Sequence, residues 1–428
     1  MKICLVAQNA SLKFGGEASL PWLLFKHLRA RNIDVHLVAH GRTAPELLAA
    51  FPDDRDRLHF APETAIDRLL WRLGSFLPGK IDAQTFTILR HIHNQRLQKK
   101  IVRKLIAEQG IQIVHEINPV APKQVSLMYG LGVPVVIGPL AGGMKFPPAF
   151  AFMETPAERF VETAGRALSQ FLSKLWPGKR RAAGLIAANQ QAQAALPRGA
   201  RGKIYYIPDV GVDLTIWADP GDSPPRTDQD VRFVYLGRLA EWKGVRFLLD
   251  AFAIVADQDA TSHLDILGDG EIRVKLEEQS RALNLTDRVT FVGWVSAHDG
   301  ARRLRASDCL VLPSLHEVGG IVILEAMAAG LPVIAADWGG PSQHITDETG
   351  IRVKPDSREK FVQGLADAMI RLASSPDRRR QMGHAGRARV TGNLYDWNSK
   401  TDRFLEIYAE LLAEAATSKS RARQPAKV

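Results

Sequence analysis

The chain is poor in cysteine and has no hydrophobic run long enough to cross a bilayer. Only Cys4 and Cys309 occur among 428 residues, and each lies in a short apolar stretch far from the other. This usage argues against a disulfide framework or a cysteine metal site, and it predicts two small buried residues of a reducing compartment. A membrane-spanning helix needs roughly 20 consecutive apolar residues. Because Met1 leads directly into a predicted strand, we also expect no signal peptide.

Several common nucleotide-binding patterns are missing as well. No Gly-x-Gly-x-x-Gly follows the first predicted strand, and no Gly-x-x-x-x-Gly-Lys-Ser/Thr loop occurs anywhere. These absences exclude the usual dinucleotide fingerprint and the P-loop. Zinc-finger spacing, an RNP pattern and a basic stripe interleaved with aromatics are also absent, so nucleic acid is not an expected partner.

The positive charge is concentrated in the first half of the chain. Residues 1–210 contain 28 basic and 15 acidic side chains, a net charge of +13, whereas residues 211–428 contain 28 and 31, a net charge of −3. A basic half favours an anionic partner, such as anionic lipid head groups or a polyphosphate lipid carrier. The alternative is a solvated basic surface on a cytosolic protein.

Short apolar segments alternate with helical patterns and predict an α/β fold. In the first half, a strand at 2–7 is followed by a loop, a helix at 18–31 with leucines on one face, and a strand at 35–39. This order predicts a parallel sheet. Further strands are predicted at 111–117, 133–137, 184–188 and 203–207.

A second series of strands predicts a second Rossmann-like domain. Residues 219–230 are rich in Pro, Gly, Ser and Asp and are interpreted as a linker. Strands are then predicted at 231–236, 263–267, 289–292, 309–312 and 333–335. The predicted domains are therefore 1–210 together with a final helix at 395–415, and 211–394, followed by a disordered basic tail at 416–428.

The stretch from Pro313 to Ile334 has the pattern strand end, glycine loop, helix, helix stop and strand. Gly319 and Gly320 allow a ligand to approach the backbone, and the helix that follows can hold a phosphate at its N-terminus. Glu317 lies in the loop and Glu325 lies eight residues later, inside the helix. Two carboxylates so placed suit two sets of sugar hydroxyls. The alternative is an ordinary strand-loop-helix with a solvated Glu325.

A second motif, Gly237-Arg238-Leu239-Ala240-Glu241-Trp242-Lys243-Gly244, follows the first strand of the predicted second domain. Arg238 and Lys243 can clamp a diphosphate, Arg238 through its fork and Lys243 as a point charge. Such a clamp stabilises a leaving diphosphate without a divalent metal. Because no Asp-x-Asp occurs at a suitable strand end, we expect activity without metal.

Both motifs resemble those of retaining GT-B glycosyltransferases of family 4, with their Glu-x7-Glu signature and Gly-Arg-Leu-x-x-x-Lys-Gly element. The usual Glu-Gly-Phe-Gly is here Glu317-Val318-Gly319-Gly320. The resemblance is strong over residues 231–390 and moderate over 1–210. It implies two Rossmann-like domains facing a cleft, with a C-terminal helix that crosses back to the first domain. The first domain would bind the acceptor and the second the nucleotide sugar.

The resemblance also implies roles for individual residues of the second domain. Glu325 would bind the ribose hydroxyls, Glu317 would face the transferred sugar, and the Ile321 N–H would meet a phosphate or the sugar. Gly268 would form a tight turn, and Val295 would border the nucleotide base, although a purely structural turn is an alternative for both.

In the first domain, the resemblance places Gly15 and Gly16 over the donor phosphates, where a side chain would collide. His115, at a strand end, matches a polar position that lines the cleft in relatives, with a structural role as the alternative. The loop at 138–143 resembles one that lies near the acceptor.

The activity implied is transfer of a hexose from a nucleotide diphosphate sugar, linked to UDP or GDP, to a glycan or lipid-linked acceptor. No cofactor is expected, and the setting is the cytoplasm, including the inner face of a membrane, in cell-envelope or exopolysaccharide synthesis. Trp71, Phe76, Phe171 and Trp176 lie among basic residues and suit an anionic membrane surface, although internal helix packing is the alternative. Rival functions are a nucleotide-sugar epimerase, a phosphorylase or a non-catalytic membrane-associated binding protein.

Overall fold

The structure is a computed structural model that describes residues 1–14, 16–76, 85–122, 124–142, 144–154, 171–218 and 230–423. The chain forms two compact units. The first unit consists of Met1–Gly143, Thr155–Asp209 and Trp397–Val428, and the second of Met144–Glu154 and Val210–Asp396. Residues 219–229 of the predicted linker lie outside the described residues.

The first unit contains a seven-stranded parallel sheet of order β3-β2-β1-β4-β5-β6-β7. Its strands are β1 (Lys2–Ala7), β2 (Asp34–His40), β3 (Leu58–Ala61), β4 (Ile113–Asn118), β5 (Val135–Leu140), β6 (Gly184–Ala187) and β7 (Lys203–Tyr206). Its helices are α1 (Gly16–Ala30), α2 (Ala44–Ala50), α3 (Ala65–Gly74), α4 (Phe86–Gln109), α5 (Gly178–Arg181), α6 (Gln190–Ala194) and, at the chain's end, α15 (Trp397–Arg423).

The second unit contains a six-stranded parallel sheet of order β10-β9-β8-β11-β12-β13. Its strands are β8 (Arg232–Leu236), β9 (His263–Leu267), β10 (Val289–Gly293), β11 (Cys309–Leu312), β12 (Val333–Ala336) and β13 (Gly350–Val353). Its helices are α7 (Leu214–Trp217), α8 (Val245–Gln258), α9 (Arg273–Ala282), α10 (Ala297–Arg305), α11 (Ile321–Ala328), α12 (Gly340–His344), α13 (Arg358–Ala373) and α14 (Pro376–Gly392).

Side-chain alternation explains why both faces of the first sheet are covered. Along β1, Ile3 and Leu5 enter one hydrophobic cluster, whereas Cys4 and Val6 enter another. Successive side chains of a strand point to opposite faces, so a strand that is apolar throughout needs helices on both sides. The predicted pair of doubly wound parallel sheets is confirmed. Cys4 and Cys309 are buried free thiols, as predicted.

Helix α15 begins at Trp397 and packs Phe404, Ile407 and Tyr408 into the core of the first unit. The chain therefore crosses back, as predicted. The helix is longer than expected, however, because it continues to Arg423 through residues predicted to be disordered. None of the helices that the structure describes is both long and apolar enough to span a membrane.

Met144–Glu154 is the main departure from the predicted organisation, because it belongs to the second unit although the sequence places it within the first domain. Phe150 of this segment is fully buried, with its ring 5.3 Å from that of Phe247 and 5.9 Å from that of Phe361. Strands β3 and β13 were also not predicted. Both are four-residue strands at sheet edges, where the apolar signal is weak.

Candidate active site

An ion pair joins two neighbouring strands of the second sheet at their carboxyl ends. Lys243 closes a short 3₁₀ turn, Glu241–Lys243, after β8, and Glu317 follows β11, which pairs directly with β8. The Lys243 ammonium donates a hydrogen bond to the Glu317 carboxylate, and the two side chains are 19% and 17% exposed. The strand order reverses between β8 and β11, which is where open α/β sheets bind ligands.

Arg238 lies on the same loop but pairs toward the opposite side of β8. Its Nε lies 3.2 Å from a carboxylate oxygen of Glu271, which follows β9, and the Arg238 side chain is 65% exposed. An exposed ion pair of this kind contributes only about 0–1 kcal/mol. The guanidinium can therefore exchange Glu271 for a ligand phosphate at little cost.

The loop after β11 is held in place by the loop and helix that follow β12. The backbone N–H of Gly340 donates to the Glu317 carbonyl at 2.9 Å, and His344 Nε2 bonds the Gly319 carbonyl at 2.6 Å. A Cβ on Gly340 would lie 2.0 Å from the Val318 carbonyl oxygen, so only glycine fits there. Sequence reasoning missed Gly340 and His344, and the Gly339-Gly340 pair was the available signal.

The start of α11 provides backbone donors beside Glu317. Gly320 is the N-cap of this helix, with φ of 64°, a left-handed conformation that favours glycine. Ile321 is the first helical residue. The first N–H groups of a helix have no intrahelical acceptor and carry the positive end of the dipole, so Ile321 is well placed to meet an anion.

Glu325 carries a buried carboxyl group on the same helix. Burial raises its pKa to about 8, and the residue is only 9% exposed. Loss of hydration on burial accounts for this shift, and no nearby charge among the described residues offsets it. A carboxylate in this position would gain from hydrogen-bond donors supplied by a ligand, such as ribose hydroxyls.

Gly268 and Val295 follow the two strands beyond β8. Gly268 has φ of 140°, and a Cβ there would lie 1.9 Å from the Gly237 carbonyl oxygen. The packing of two adjacent turns is therefore sufficient reason for glycine at 268. Val295 is partly buried and packs against the hydrophobic core of the second unit, beside Trp294, which is 78% exposed.

His115 has the structural role that the sequence left open as an alternative. It is completely buried in β4, where its Nε2 bonds the Gly138 carbonyl at 2.7 Å and its Nδ1 bonds the Tyr408 hydroxyl at 2.6 Å. Burial lowers its pKa to about 4. Both ring nitrogens are used within the protein, so His115 is a neutral core residue that ties β4 to β5 and α15, not a residue lining a cleft.

The remaining predicted residues of the first unit are the glycines before α1. Gly15 lies outside the described residues, and Gly16 is the first residue of α1. A Cβ on Gly16 would meet nothing within 4 Å, so the fold itself does not require glycine there. Its predicted approach to a phosphate stays a prediction. Within the described ranges, no cluster of three or more His, Cys, Asp or Glu is arranged to hold a metal ion.

The segment Met144–Glu154 also contacts the loops of the second sheet, which the sequence did not suggest. The Trp338 indole donates to the Lys145 carbonyl at 2.7 Å, and the Phe146 ring lies 4.9 Å from that of His316, the residue before Glu317. These contacts stabilise the loop that carries Glu317.

Comparison with known proteins gives a family match within the second unit. Residues 222–389 match the model of the family described as glycosyl transferases group 1. The alpha-D-kanosaminyltransferase of Streptomyces kanamyceticus is 34% identical over 179 residues, which are 42% of this chain and only 45% of that protein. The phosphatidyl-myo-inositol mannosyltransferase of Mycobacterium tuberculosis is 28% identical over 320 residues, 74% of this chain and 78% of that protein.

A solved structure shows the same fold over nearly the whole chain. Anabaena HepE in complex with UDP superposes with a TM-score of 0.64 at 18% identity, covering 96% of this chain and 100% of that one. The matched region 222–389 contains Arg238, Lys243, Glu317 and Glu325. The part of the chain that contains these four residues therefore matches the glycosyl transferases group 1, and the chain as a whole has the GT-B fold.

Proposed function

We propose that this protein is a retaining glycosyltransferase that moves a hexose from a nucleotide diphosphate sugar to a hydroxyl of a glycan or lipid-linked acceptor. The observation that carries the proposal is the Lys243–Glu317 ion pair at the carboxyl ends of β8 and β11, in a domain of the glycosyl transferases group 1. Because the Anabaena structure contains UDP, UDP-sugars are the first donors to test, and GDP-sugars are the second.

Donor binding would exchange the internal ion pair for contacts with the ligand. Lys243, Arg238 and the N–H of Ile321 would hold the diphosphate, and Glu317 would be released to bind hydroxyls of the transferring sugar. Glu325 would accept hydrogen bonds from the ribose. Preorganised cations at a leaving diphosphate stabilise the charge that develops on it, which is why metal is not required in this proposal.

The reaction proposed is front-face transfer. The bond between the anomeric carbon and the diphosphate oxygen breaks, and the acceptor oxygen bonds to that carbon from the same face. The acceptor proton passes to the leaving diphosphate, so no side chain acts as a strong base. This step needs no ionisable group in the position predicted for His115, in agreement with the burial of that residue.

We place the enzyme at the inner face of a membrane, in cell-envelope or exopolysaccharide synthesis. Helix α3 supports this setting, because Ile66, Leu69 and Leu73 are exposed and lie three and four residues apart, on one face. Arg68 and Arg72 on the same helix are exposed as well. An exposed apolar face with arginines beside it suits reversible attachment to anionic lipid.

A two-step experiment tests the function. Thermal unfolding is first followed with UDP-, GDP- and ADP-sugars, because a ligand that binds the folded state raises the melting temperature. Transfer of labelled sugar to added glycans and lipid-linked acceptors is then measured with and without EDTA. We expect one donor class to stabilise the protein and support transfer in EDTA. Turnover of the sugar nucleotide without an acceptor to a new sugar nucleotide would indicate an epimerase instead, and loss of transfer in EDTA that Mg²⁺ restores would reveal a metal site.

A further inference from the structure

A second pocket, of about 310 Å³, lies entirely within the first unit. It is formed at the carboxyl ends of β1, β2 and β3 and is closed by α3 and α4. None of its lining residues belongs to the site described above. Its size is at the lower end of the range of about 300–1,000 Å³ for small-molecule sites. Unlike most such sites, it is lined mainly by polar and charged residue types, with Trp71 as the exception.

The charges in this pocket balance. Arg42, Arg90, Glu63 and Asp67 all line it, so the formal charges of these four groups cancel. His40, at the end of β2, has a pKa lowered by burial and then by the nearby Arg42 charge, so it is neutral at pH 7. A phosphate site would have a surplus of positive charge. Interspersed donors and acceptors suit hydroxyl groups, each of which both donates and accepts.

Asn94 provides an independent sign of a ligand. Its side chain lines the pocket and is 3% exposed, yet neither its Oδ1 nor its Nδ2 has a hydrogen-bond partner among the residues described by the structure. Buried amides are nearly always hydrogen-bonded, because an unpaired one keeps the cost of losing water. A polyhydroxylated ligand supplies both the donor and the acceptor that Asn94 lacks.

Two charged groups of the pocket, Arg42 and Asp67, are held in place by contacts within the protein. The Arg42 guanidinium donates to Asn9 Oδ1 from Nε at 2.7 Å and from Nη2 at 2.5 Å. The Asp67 carboxylate accepts from the backbone N–H and the hydroxyl of Thr64, at 2.8 and 2.7 Å, in a capping box at the start of α3. Preorganised groups lose little entropy on binding.

Trp71 gives the pocket an aromatic surface. It belongs to α3, lines the pocket, and is 65% exposed. An indole ring presents a flat apolar surface with a polar edge. A pyranose has a matching shape, with C–H groups on one face and hydroxyls around its rim.

We propose that this pocket binds a neutral sugar ring and is the acceptor subsite of the enzyme. The acceptor role rests on the proposed transferase function, whereas sugar binding does not. The ring stacks on Trp71, and its hydroxyls bond Asn94, Glu63 and Arg90. On this assignment, the enzyme recognises a sugar ring at the reacting end of the acceptor. The positive charge of residues 1–210 then serves a contact other than this sugar ring.

Binding is tested on the full-length protein by saturation-transfer NMR with methyl α-D-glucopyranoside, methyl α-D-galactopyranoside and methyl α-D-mannopyranoside. We expect at least one of these to bind the wild type and to bind Glu63→Gln and Trp71→Ala at least tenfold more weakly. Phe76→Ala is the matched control, because Phe76 is 78% exposed and does not line the pocket. Failure of all three glycosides to bind, or wild-type affinity in both variants, would overturn the proposal. Displacement of the glycoside by inorganic phosphate at equal concentration would show an anion site instead.

Asn94→Leu separates a ligand role from a structural one. If the amide serves the ligand, this variant binds the glycoside at least tenfold more weakly while its melting temperature is equal to or above that of the wild type. A lower melting temperature with unchanged glycoside affinity would contradict the proposal. Release of nucleoside diphosphate from sugar donors is measured in parallel. Glycoside binding without any such release would leave the pocket assigned and reject the transferase, whereas release with wild-type acceptor KM in the variants would reject the pocket alone.

Discussion

The two units share the order of six strands and differ in chemistry at the point where that order reverses. In the first sheet this point lies between β1 and β4, where Asn118 Oδ1 accepts from the Gln8 N–H at 2.7 Å and its Nδ2 donates to the Asn9 carbonyl at 2.7 Å. In the second sheet it lies between β8 and β11, where Lys243 and Glu317 form an ion pair. The amide is used up in fixing backbone, whereas the two charges can each take a ligand group. Topology supplies the crevice, and the residue type decides whether it becomes a structural lock or a binding site.

Replacing a residue at the reversal point of each sheet tests this contrast, and the largest effect on ligand binding is expected in the second sheet. Lys243→Ala should weaken nucleoside diphosphate binding roughly 10- to 100-fold, through loss of a charge-assisted contact worth about 1.5–3 kcal/mol. Arg238→Ala should have an effect at the lower end of that range. Asn118→Ala is the matched change in the first sheet, and we expect it to lower the melting temperature with little change in nucleotide affinity.

Isothermal titration with UDP and GDP measures these affinities, and thermal unfolding measures stability. Wild-type affinity in both cation variants would remove the diphosphate clamp. An Asn118→Ala variant that bound nucleotide as weakly as Lys243→Ala would remove the contrast between the two sheets.

The two glutamates divide the second site further. Glu325→Gln should weaken binding of sugar donor and free nucleoside diphosphate alike, because we assign Glu325 to the ribose. Glu317→Gln should keep nucleoside diphosphate affinity nearly intact and lower kcat, since contacts to the sugar strengthen as charge develops at its anomeric carbon. Titrations with nucleoside diphosphate, followed by kcat with the sugar donor, give the answer. The opposite pattern would mean that the two assignments are reversed.

Glu325 should also make stability depend on pH. Its pKa is raised from 4.5 to about 8 by burial, so the folded protein loses stability as pH rises between these values. The slope for one such group is about 1.4 kcal/mol per pH unit at most. Glu325→Gln should therefore be more stable than the wild type at pH 8 and similar to it near pH 4.5. Denaturant unfolding at both pH values measures this, and an equal stability difference at the two would contradict the shift.

The smallest effect is expected on membrane attachment, which tests whether the more basic first half of the chain binds anionic lipid. Replacing Ile66, Leu69 and Leu73 by serine should reduce flotation with anionic vesicles, and added salt should reduce it for the wild type, because charges beyond about 10 Å are screened at 0.1 M. Val274→Ser is the control, since Val274 is 65% exposed but belongs to the second unit. Absence of the wild type from both anionic and neutral vesicles would leave the exposed face of α3 without this role.

The sequence was most informative where a function depends on neighbours in the chain. The Glu317 loop, the helix after it and the Arg238–Lys243 turn are local motifs, and their placement at strand ends follows from the alternation of strands and helices. The fate of His115 depends on Tyr408, 293 residues away, which supplies its buried partner. Likewise, His344 reaches the Gly319 carbonyl and Phe146 reaches His316 only through tertiary packing. Edge strands such as β3 lack the buried apolar pattern that reveals central ones.

The insertion of Met144–Glu154 into the second unit limits how the two halves can be recombined. Its buried Phe150 packs on Phe247 and Phe361, although it stands 60 residues before the start of the main segment at Val210. A fragment of residues 210–396 would lack that ring, and the loss of a buried phenylalanine typically costs about 3–5 kcal/mol. That is a large fraction of a domain's stability. Chimeras that exchange the second unit for that of another enzyme must therefore exchange residues 144–154 as well. The second unit cannot be transferred as one continuous segment.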